Sequence, residues 1–475
     1  MREMQGKGTG NSMTINQTQQ PNNTVYIVAA VVGTLMVLVG CAMLILDNVT
    51  LPAPGDTGSQ STEVVEAEPT RVGEVPQNEP GSDLPEQPIE TNAPIFPPTK
   101  TVQPVVATAI PTQTLPPLPT RTPTNTPLPP TPTLPPTPTA VSPDVINEID
   151  TILNNYTKNN VFSGSVLISQ QGNVLLSKGY GLADREKNIP NTLQTRFRIA
   201  SITKQFTAMG ILILQSQGKL DVQDRLCQYI DQCPAAWEAI TLEHLITHTS
   251  GLPDLIIDTK DPTGWWQTPA APDQIVERFR DLPLEYAPGE EWRYTNTGYL
   301  FLAYVIEQAS GQPYEAFLQQ AVFTPLGLSN TGFLSEADSM ALGYAGGYGY
   351  IPAELPLDLS YYTGAGSLIS TVQDLYRWEQ ALHTEQLVPQ MYLDATFEQN
   401  VSNPYFEGYY YGYGWEIGVE RGRQIRFHLG NMEGYSAILV HYPEDEVTII
   451  ILSNNQRVDT WLIQTVLATR LMGEK

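Results

Sequence analysis

A serine and a lysine stand three residues apart in "ASITKQFTAMGILILQ" (200–215), where the chain turns strongly apolar. Residues i and i+3 share one face of a helix, so Ser201 and Lys204 are neighbours if a helix begins there. From 206 to 214 the stretch is apolar on every side apart from Thr207 and Gly210. Such a helix enters the core directly, and Lys204 is partly removed from water. Burial disfavours the charged amine and lowers its pKa. A lysine held that way can take or share a serine proton near neutral pH. Free N–H groups and the dipole at a helix start also favour a developing oxyanion. The plainer alternative is an N-capping Ser201 and a snorkelling Lys204, because S-x-x-K alone is a weak signal.

Two further stretches carry matching chemistry. "PGEEWRYTNTGY" holds Tyr294-Thr295-Asn296 after a Pro-Gly turn and before the helical run 299–309. "FHLGNMEGYSA" holds His428-Leu429-Gly430 on a late strand, followed by Asn431. With these three motifs the chain resembles the serine beta-lactamase and penicillin-binding-protein superfamily, nearest the branch of class C beta-lactamases, D-Ala-D-Ala carboxypeptidases and related esterases. The superfamily motifs S-x-x-K, Y-x-N and [K/H]-x-G read here as SITK, YTN and HLG, in order, and "LITHTSGLPD" adds to the likeness. The resemblance implies that Ser201 is acylated and that Lys204 and Tyr294 share the general-base work. It implies that Asn296 orients substrate or base, and that the backbone N–H groups of Ser201 and Asn431 form the oxyanion hole. Gly430 is then expected to lack a Cβ so that substrate can lie against its strand.

His428 departs from the lysine that most beta-lactamases carry at that position. An imidazole with an ordinary pKa of ~6.5 is mostly neutral at pH 7 and offers a hydrogen bond rather than a charge. That favours peptides or esters over penicillin, as in the H-x-G esterases and D-aminopeptidases of the family. No acidic residue stands out as a deacylating base, so water attack is expected to use Tyr294 and Lys204 again. His244 and His248 sit i, i+4 in "LEHLITHTSG", but H-E-x-x-H is not met and no third ligand is evident. No metal or organic cofactor is expected. The absence of G-x-S-x-G removes an α/β-hydrolase reading.

The elements that must position these residues lie between 144 and 475, which hold all seven tryptophans. "PDVINEIDTILNNYTK" predicts a helix with Val145, Ile149, Ile152 and Leu153 on one face. "FSGSVLISQQGNVLLSKGYG" predicts a hairpin around Gly172. Residues 221–400 read as helices and long loops, with a capping box at Ser370 and Gln373. "GYGWEIGVE", "RQIRFHLG", "YSAILVHYP" and "EVTIIILSNN" predict strands, and "TWLIQTVLATRLM" a closing helix. Strands at both ends with helices between predict an α+β fold: an antiparallel sheet flanked by helices, with an inserted mostly helical region. Trp265-Trp266 is expected in the core. "YAGGYGY" (344–350) and "YFEGYYYGYGW" (405–415) read equally as aromatic rims of a cleft or as half-covered surface, and "YYTGAGSLIS" (361–370) as a glycine turn at the cleft wall. Cys227 and Cys233 are expected to form a local disulfide in an oxidising compartment.

Ahead of this domain, residues 25–46 form an uncharged apolar run of 22, long enough to span ~30 Å of hydrocarbon as a helix. Arg2 and Lys7 precede it and no further Lys or Arg occurs until Arg71, which places 1–24 in the cytoplasm and the rest outside. The competing reading takes "LVGC" (38–41) as a lipobox, with lipidation at Cys41. Residues 47–143 hold 24 of the chain's 40 prolines and read as a disordered Pro/Thr-rich linker that spaces the domain from the membrane. Fifty acidic against 25 basic residues, a net charge of −25, argue against nucleic acid as a partner. The expected protein is a single-pass, membrane-anchored, extracytoplasmic serine hydrolase acting on a small peptide or ester. Its rival is a non-catalytic protein that binds cell-wall peptide on the same fold.

Overall fold

The computed structural model describes residues 141–254, 265–334, 340–345, 351–353 and 358–473. The segments 1–24 and 25–46, and nearly all of 47–143, lie outside the described residues. Among those described, no helix is long and apolar enough to cross a membrane.

Helix α1 (Pro143–Lys158) starts with Ser142 as N-cap and a proline in its first turn, and buries Ile149 and Leu153. The hairpin of β1 (Gly164–Gln170) and β2 (Asn173–Tyr180) follows. At the far end of the chain come β3 (Val401–Ser402), β4 (Tyr410–Tyr411), β5 (Glu416–Glu420), β6 (Arg423–Met432), β7 (Tyr435–Tyr442) and β8 (Val447–Ser453). Together they form one antiparallel sheet in the order β3-β4-β5-β6-β7-β8-β1-β2. Early and late parts of the described domain therefore meet at the β8–β1 pair, where Val166 faces Ile451.

Side-chain alternation builds a core on each face of this sheet. Val166, Ile168, Ile438, Val440, Ile449 and Ile451 pack with Ile149 and Leu153 of α1 and with Ile463 and Leu467 of the closing helix (Thr460–Met472). Leu167, Leu439, Ile450 and Leu452 face the other way, into the helical region. That is why "VTIIILS" is a continuous apolar run: β8 is buried on both faces. Each fully buried Leu or Ile side chain stabilises the fold by roughly 1.5–3 kcal/mol.

The helical region is centred on α2 (Thr203–Ser216), of which residues 203 to 214 are all buried. It crosses α3 (Thr297–Ser310) at Gly210, where a Cβ would lie 2.9 Å from the Ile306 Cδ1 atom. The α+β architecture expected from the sequence is thus present. Trp266 is buried in the core and Cys227 is bridged to Cys233, both as expected. One local detail differs. Helix α4 (Val372–Ala381) is capped by Thr371, whose side chain accepts from the Asp374 N–H, and not by Ser370 with Gln373. Ser370 instead ends a buried strand and hydrogen-bonds Thr331 at 2.8 Å.

Candidate active site

Ser201 lies in a 3-10 turn, Ala200–Ile202, that leads into α2, so it precedes the α-helix rather than capping it. Ala200 is held in the left-handed region at φ 45°, a strained position for a residue with a Cβ, costing roughly 1–3 kcal/mol. The turn is pinned from two sides. The Ile199 N–H donates to the Leu368 carbonyl at 3.1 Å, and the Ile199 carbonyl, which accepts from the Ile202 N–H at 3.2 Å, lies against Gly430 of β6. A Cβ on Gly430 would come within 2.1 Å of that carbonyl oxygen. Gly430 has no room for a Cβ because the serine-bearing turn packs on its strand, a reason within the fold that stands beside the expected substrate contact.

Lys204 is fully buried and meets three partners. Its Nζ lies 2.8 Å from Asn296 Oδ1, 3.0 Å from the Ala365 carbonyl and 3.2 Å from Ser201 Oγ. Burial lowers its pKa from 10.5 to about 7, against a smaller opposing pull from Asp254. A neutral amine has two N–H groups and one lone pair. The two carbonyl oxygens can only accept, so they take the two N–H groups, and the lone pair faces the serine hydroxyl.

Tyr294 joins from the loop before α3. It is hydrogen-bonded with Ser201, and burial raises its phenol pKa far above the ordinary value. Its ring lies 4.7 Å from Lys204 Nζ. Asn296 is fixed by Asp254, whose Oδ1 accepts from the Asn296 N–H at 2.8 Å and also from the first turn of α3 at Thr297. His248, buried at φ 62°, packs against the ring of Tyr294 with centroids 4.4 Å apart and the planes tilted by 39°, and accepts from the Thr295 N–H. It acts as a packing residue beside the site. His244 instead closes a capping box with Thr241 at the start of helix Leu242–Ile246, so the two histidines do different structural work.

His428 is neutral. Burial and the nearby Lys204 lower its pKa to about 3. Its Nδ1 lies 2.6 Å from the Leu429 carbonyl, which can only accept, so the ring proton is there. Nε2 then accepts from the Tyr411 hydroxyl at 3.1 Å. Both nitrogens are engaged within the protein, so the free hydrogen bond expected for substrate is not on offer in this arrangement. Asn431 is exposed beside it, with its side chain tied to Ser436 at 3.0 Å.

These groups open onto a cleft of about 430 Å³ lined by Ser201, Tyr294, Asn296, His428, Asn431 and, unforeseen from the sequence, Glu416 and Glu433. The Ala365–Gly366 backbone forms one wall, as the glycine turn suggested. A profile of the beta-lactamase family matches residues 149–461. The chain belongs to the beta-lactamase family.

Among its relatives is penicillin-binding protein 4* of Bacillus subtilis (strain 168), 31% identical over 345 residues, covering 67% of this chain and 74% of the relative. The octameric penicillin-binding protein homologue from Pyrococcus abyssi superposes with a TM-score of 0.61 at 27% identity, over 70% of this chain and 78% of that one. D-amino acid amidase from Ochrobactrum anthropi SV3 shares the fold, with a TM-score of 0.58 at 23% identity over 69% of this chain and 97% of that one. This beta-lactamase-family chain is a serine hydrolase of the penicillin-binding-protein-like superfamily.

Sequence reasoning missed Asp254, the Ala365 carbonyl and Glu416. Asp254 stands in the quoted "LITHTSGLPD", yet only the fold brings it under Asn296. Glu416 looks like an ordinary outward residue of a strand. It is instead buried enough for its carboxyl pKa to rise, and it accepts from Asn403 at 3.2 Å. The aromatic stretches divide. Tyr411 is buried against His428, Tyr405 and Phe406 are exposed, and Tyr344 is buried with its hydroxyl on Glu186. Residues 346–350 of "YAGGYGY" lie outside the described residues.

Proposed function

We propose that this hydrolase cleaves an amide or ester through an acyl-enzyme on Ser201, with Lys204 as the base. The Ser201 Oγ attacks the carbonyl carbon while its proton passes to the Lys204 lone pair. The oxyanion is met by the backbone N–H groups of Ser201 and Asn431, each such donor contributing ~10²–10³ in rate. The leaving group takes a proton from the Tyr294 phenol, which Lys204 resupplies. Water then attacks the acyl carbonyl and gives its proton to the same pair, and the bond from the acyl carbon to Ser201 Oγ breaks as that proton passes back to Oγ. The observation that carries this reading is the geometry at Lys204: two carbonyl acceptors consume its N–H groups and leave only a lone pair for Ser201.

We further propose D-amino-acid peptides or esters bearing a free amine, in preference to a beta-lactam. The cleft presents two carboxylates, Glu416 and Glu433, and no Lys or Arg among its described lining residues. A neutral His428 supplies no cation for a substrate carboxylate. The domain is proposed to sit outside the cytoplasm, tethered through residues 25–46. The uncharged run and the Cys227–Cys233 bridge support that placement.

The test is a panel of p-nitrophenyl esters, D-amino-acid amides, their N-acetyl counterparts and nitrocefin, with fluorophosphonate labelling of wild type and Ser201→Ala. Labelling that disappears in Ser201→Ala, with free-amine substrates turned over faster than N-acetyl ones, supports the proposal. Absence of labelling in the wild type points to a non-catalytic binder. Preferred hydrolysis of nitrocefin refutes the substrate choice.

A further inference from the structure

Away from the cleft, Glu379 in the last turn of α4, His383 just beyond that helix and His441 on β7 converge. Their ligating atoms all lie within 4.8 Å of one another. Oε1 of Glu379 is 2.6 Å from His383 Nε2 and 3.0 Å from His441 Nδ1. The other carboxylate oxygen, Oε2, is tied down by Thr448 Oγ1 at 3.0 Å and Gln380 Nε2 at 2.8 Å, and the same Thr448 oxygen lies 3.0 Å from His441 Nδ1, a hydrogen bond that a bound cation would replace. This outer pair aims a single oxygen at the two imidazoles, which is how supporting hydrogen bonds orient a metal-binding carboxylate. Glu379 is almost completely buried, whereas the His383 side chain is 39% exposed and keeps one side open to water.

We propose that Glu379, His383 and His441 bind one divalent d-block cation, zinc in the first instance, with water in the fourth position. Two imidazoles and one carboxylate suit zinc better than calcium or magnesium, which take oxygen ligands. At ligand distances of ~2.0–2.2 Å, tetrahedral zinc sets its donors roughly 3.4 Å apart, so the two carboxylate–imidazole separations open by under about 1 Å while the two imidazoles, within 4.8 Å, draw together, and the exposed His383 can supply that movement. Arg426, paired across from His441 on β6, stacks on the Phe397 ring 4.0 Å away and adds positive charge near Glu379. That charge opposes any cation at the site, so binding there rests on the bonds from the two imidazoles rather than on net negative charge. None of Glu379, His383 and His441 lines the cleft that holds Ser201 and Tyr294. In sequence these ligands look unrelated, because a helix end and a remote strand supply them.

The experiment uses the full chain purified in detergent without a histidine tag. Zinc is titrated against a chromophoric chelator, and bound metal is counted by mass spectrometry after gel filtration. One zinc per chain is expected, with at least tenfold weaker binding in His383→Ala and Glu379→Gln and no change in His244→Gln. Cobalt should give a visible absorption band in the wild type that is lost in His383→Ala. The exposure of His383 makes its variant safe for folding, which circular dichroism verifies. Substoichiometric zinc in the wild type, or equal affinity in wild type and His383→Ala, overturns the proposal and leaves a plain hydrogen-bonded His–Glu–His cluster.

Discussion

The burial of Lys204 makes a quantitative claim about stability. Its pKa falls from 10.5 to about 7 on folding, and one pKa unit corresponds to about 1.4 kcal/mol. Below about pH 7 both folded and unfolded chains carry the charge, so the full burial cost of about 5 kcal/mol is present. Between pH 7 and 10.5 only the unfolded chain binds the proton, and each pH unit adds up to about 1.4 kcal/mol of stability. Above 10.5 neither state binds it. Integrating from pH 6 to pH 9 gives a gain of about 2.6 kcal/mol from this one group. Lys204→Met is close in shape and cannot titrate. Urea unfolding of wild type and Lys204→Met at pH 6, 7, 8 and 9 isolates the difference, since other titrating groups are common to both. The difference should grow with pH in favour of the wild type. A flat difference across the series would mean that Lys204 is not desolvated, and the assignment of the base would fall with it.

Four further outcomes follow from the same structure. The acylation rate of an activated ester should rise tenfold per pH unit below about 7 and level off above it, because His428, at about 3, contributes no titration in that range. Tyr294→Phe should slow amide hydrolysis by ~10²–10⁴ but p-nitrophenyl ester acylation much less, since nitrophenolate needs no proton to leave; equal losses would deny the phenol its role. Gly430→Ala should cost about 3 kcal/mol or more in a denaturant melt, because the new Cβ meets the Ile199 carbonyl. A stable, inactive Gly430→Ala protein would leave the substrate contact as the reason for the glycine. Reduction of Cys227–Cys233 should lower stability by about 2 kcal/mol from loop entropy, and a Cys227→Ser/Cys233→Ser double variant should be insensitive to reductant.

Several features were legible in the chain because they depend on near neighbours. Ser201 and Lys204 face each other since a turn and a helix place i and i+3 together, and the all-apolar run behind them foretold a buried amine. The strands read at both ends of the domain, the β1–β2 hairpin among them, announced an antiparallel sheet flanked by helices. Motif order was sufficient to connect Tyr294, Asn296 and His428 to that pair before any coordinates. What the chain alone could not decide were contacts between distant backbones and the charges they create. Ala365 and Asp254 touch the site only through folding, and Gly430 is denied a Cβ by a carbonyl some 230 residues away in sequence. The neutral, doubly engaged state of His428, the carboxylates lining the cleft and the Glu379–His383–His441 cluster are likewise products of packing. Local spacing determines which side chains share a face, but desolvation and hydrogen-bond saturation depend on everything packed around them, and only the tertiary structure sets those.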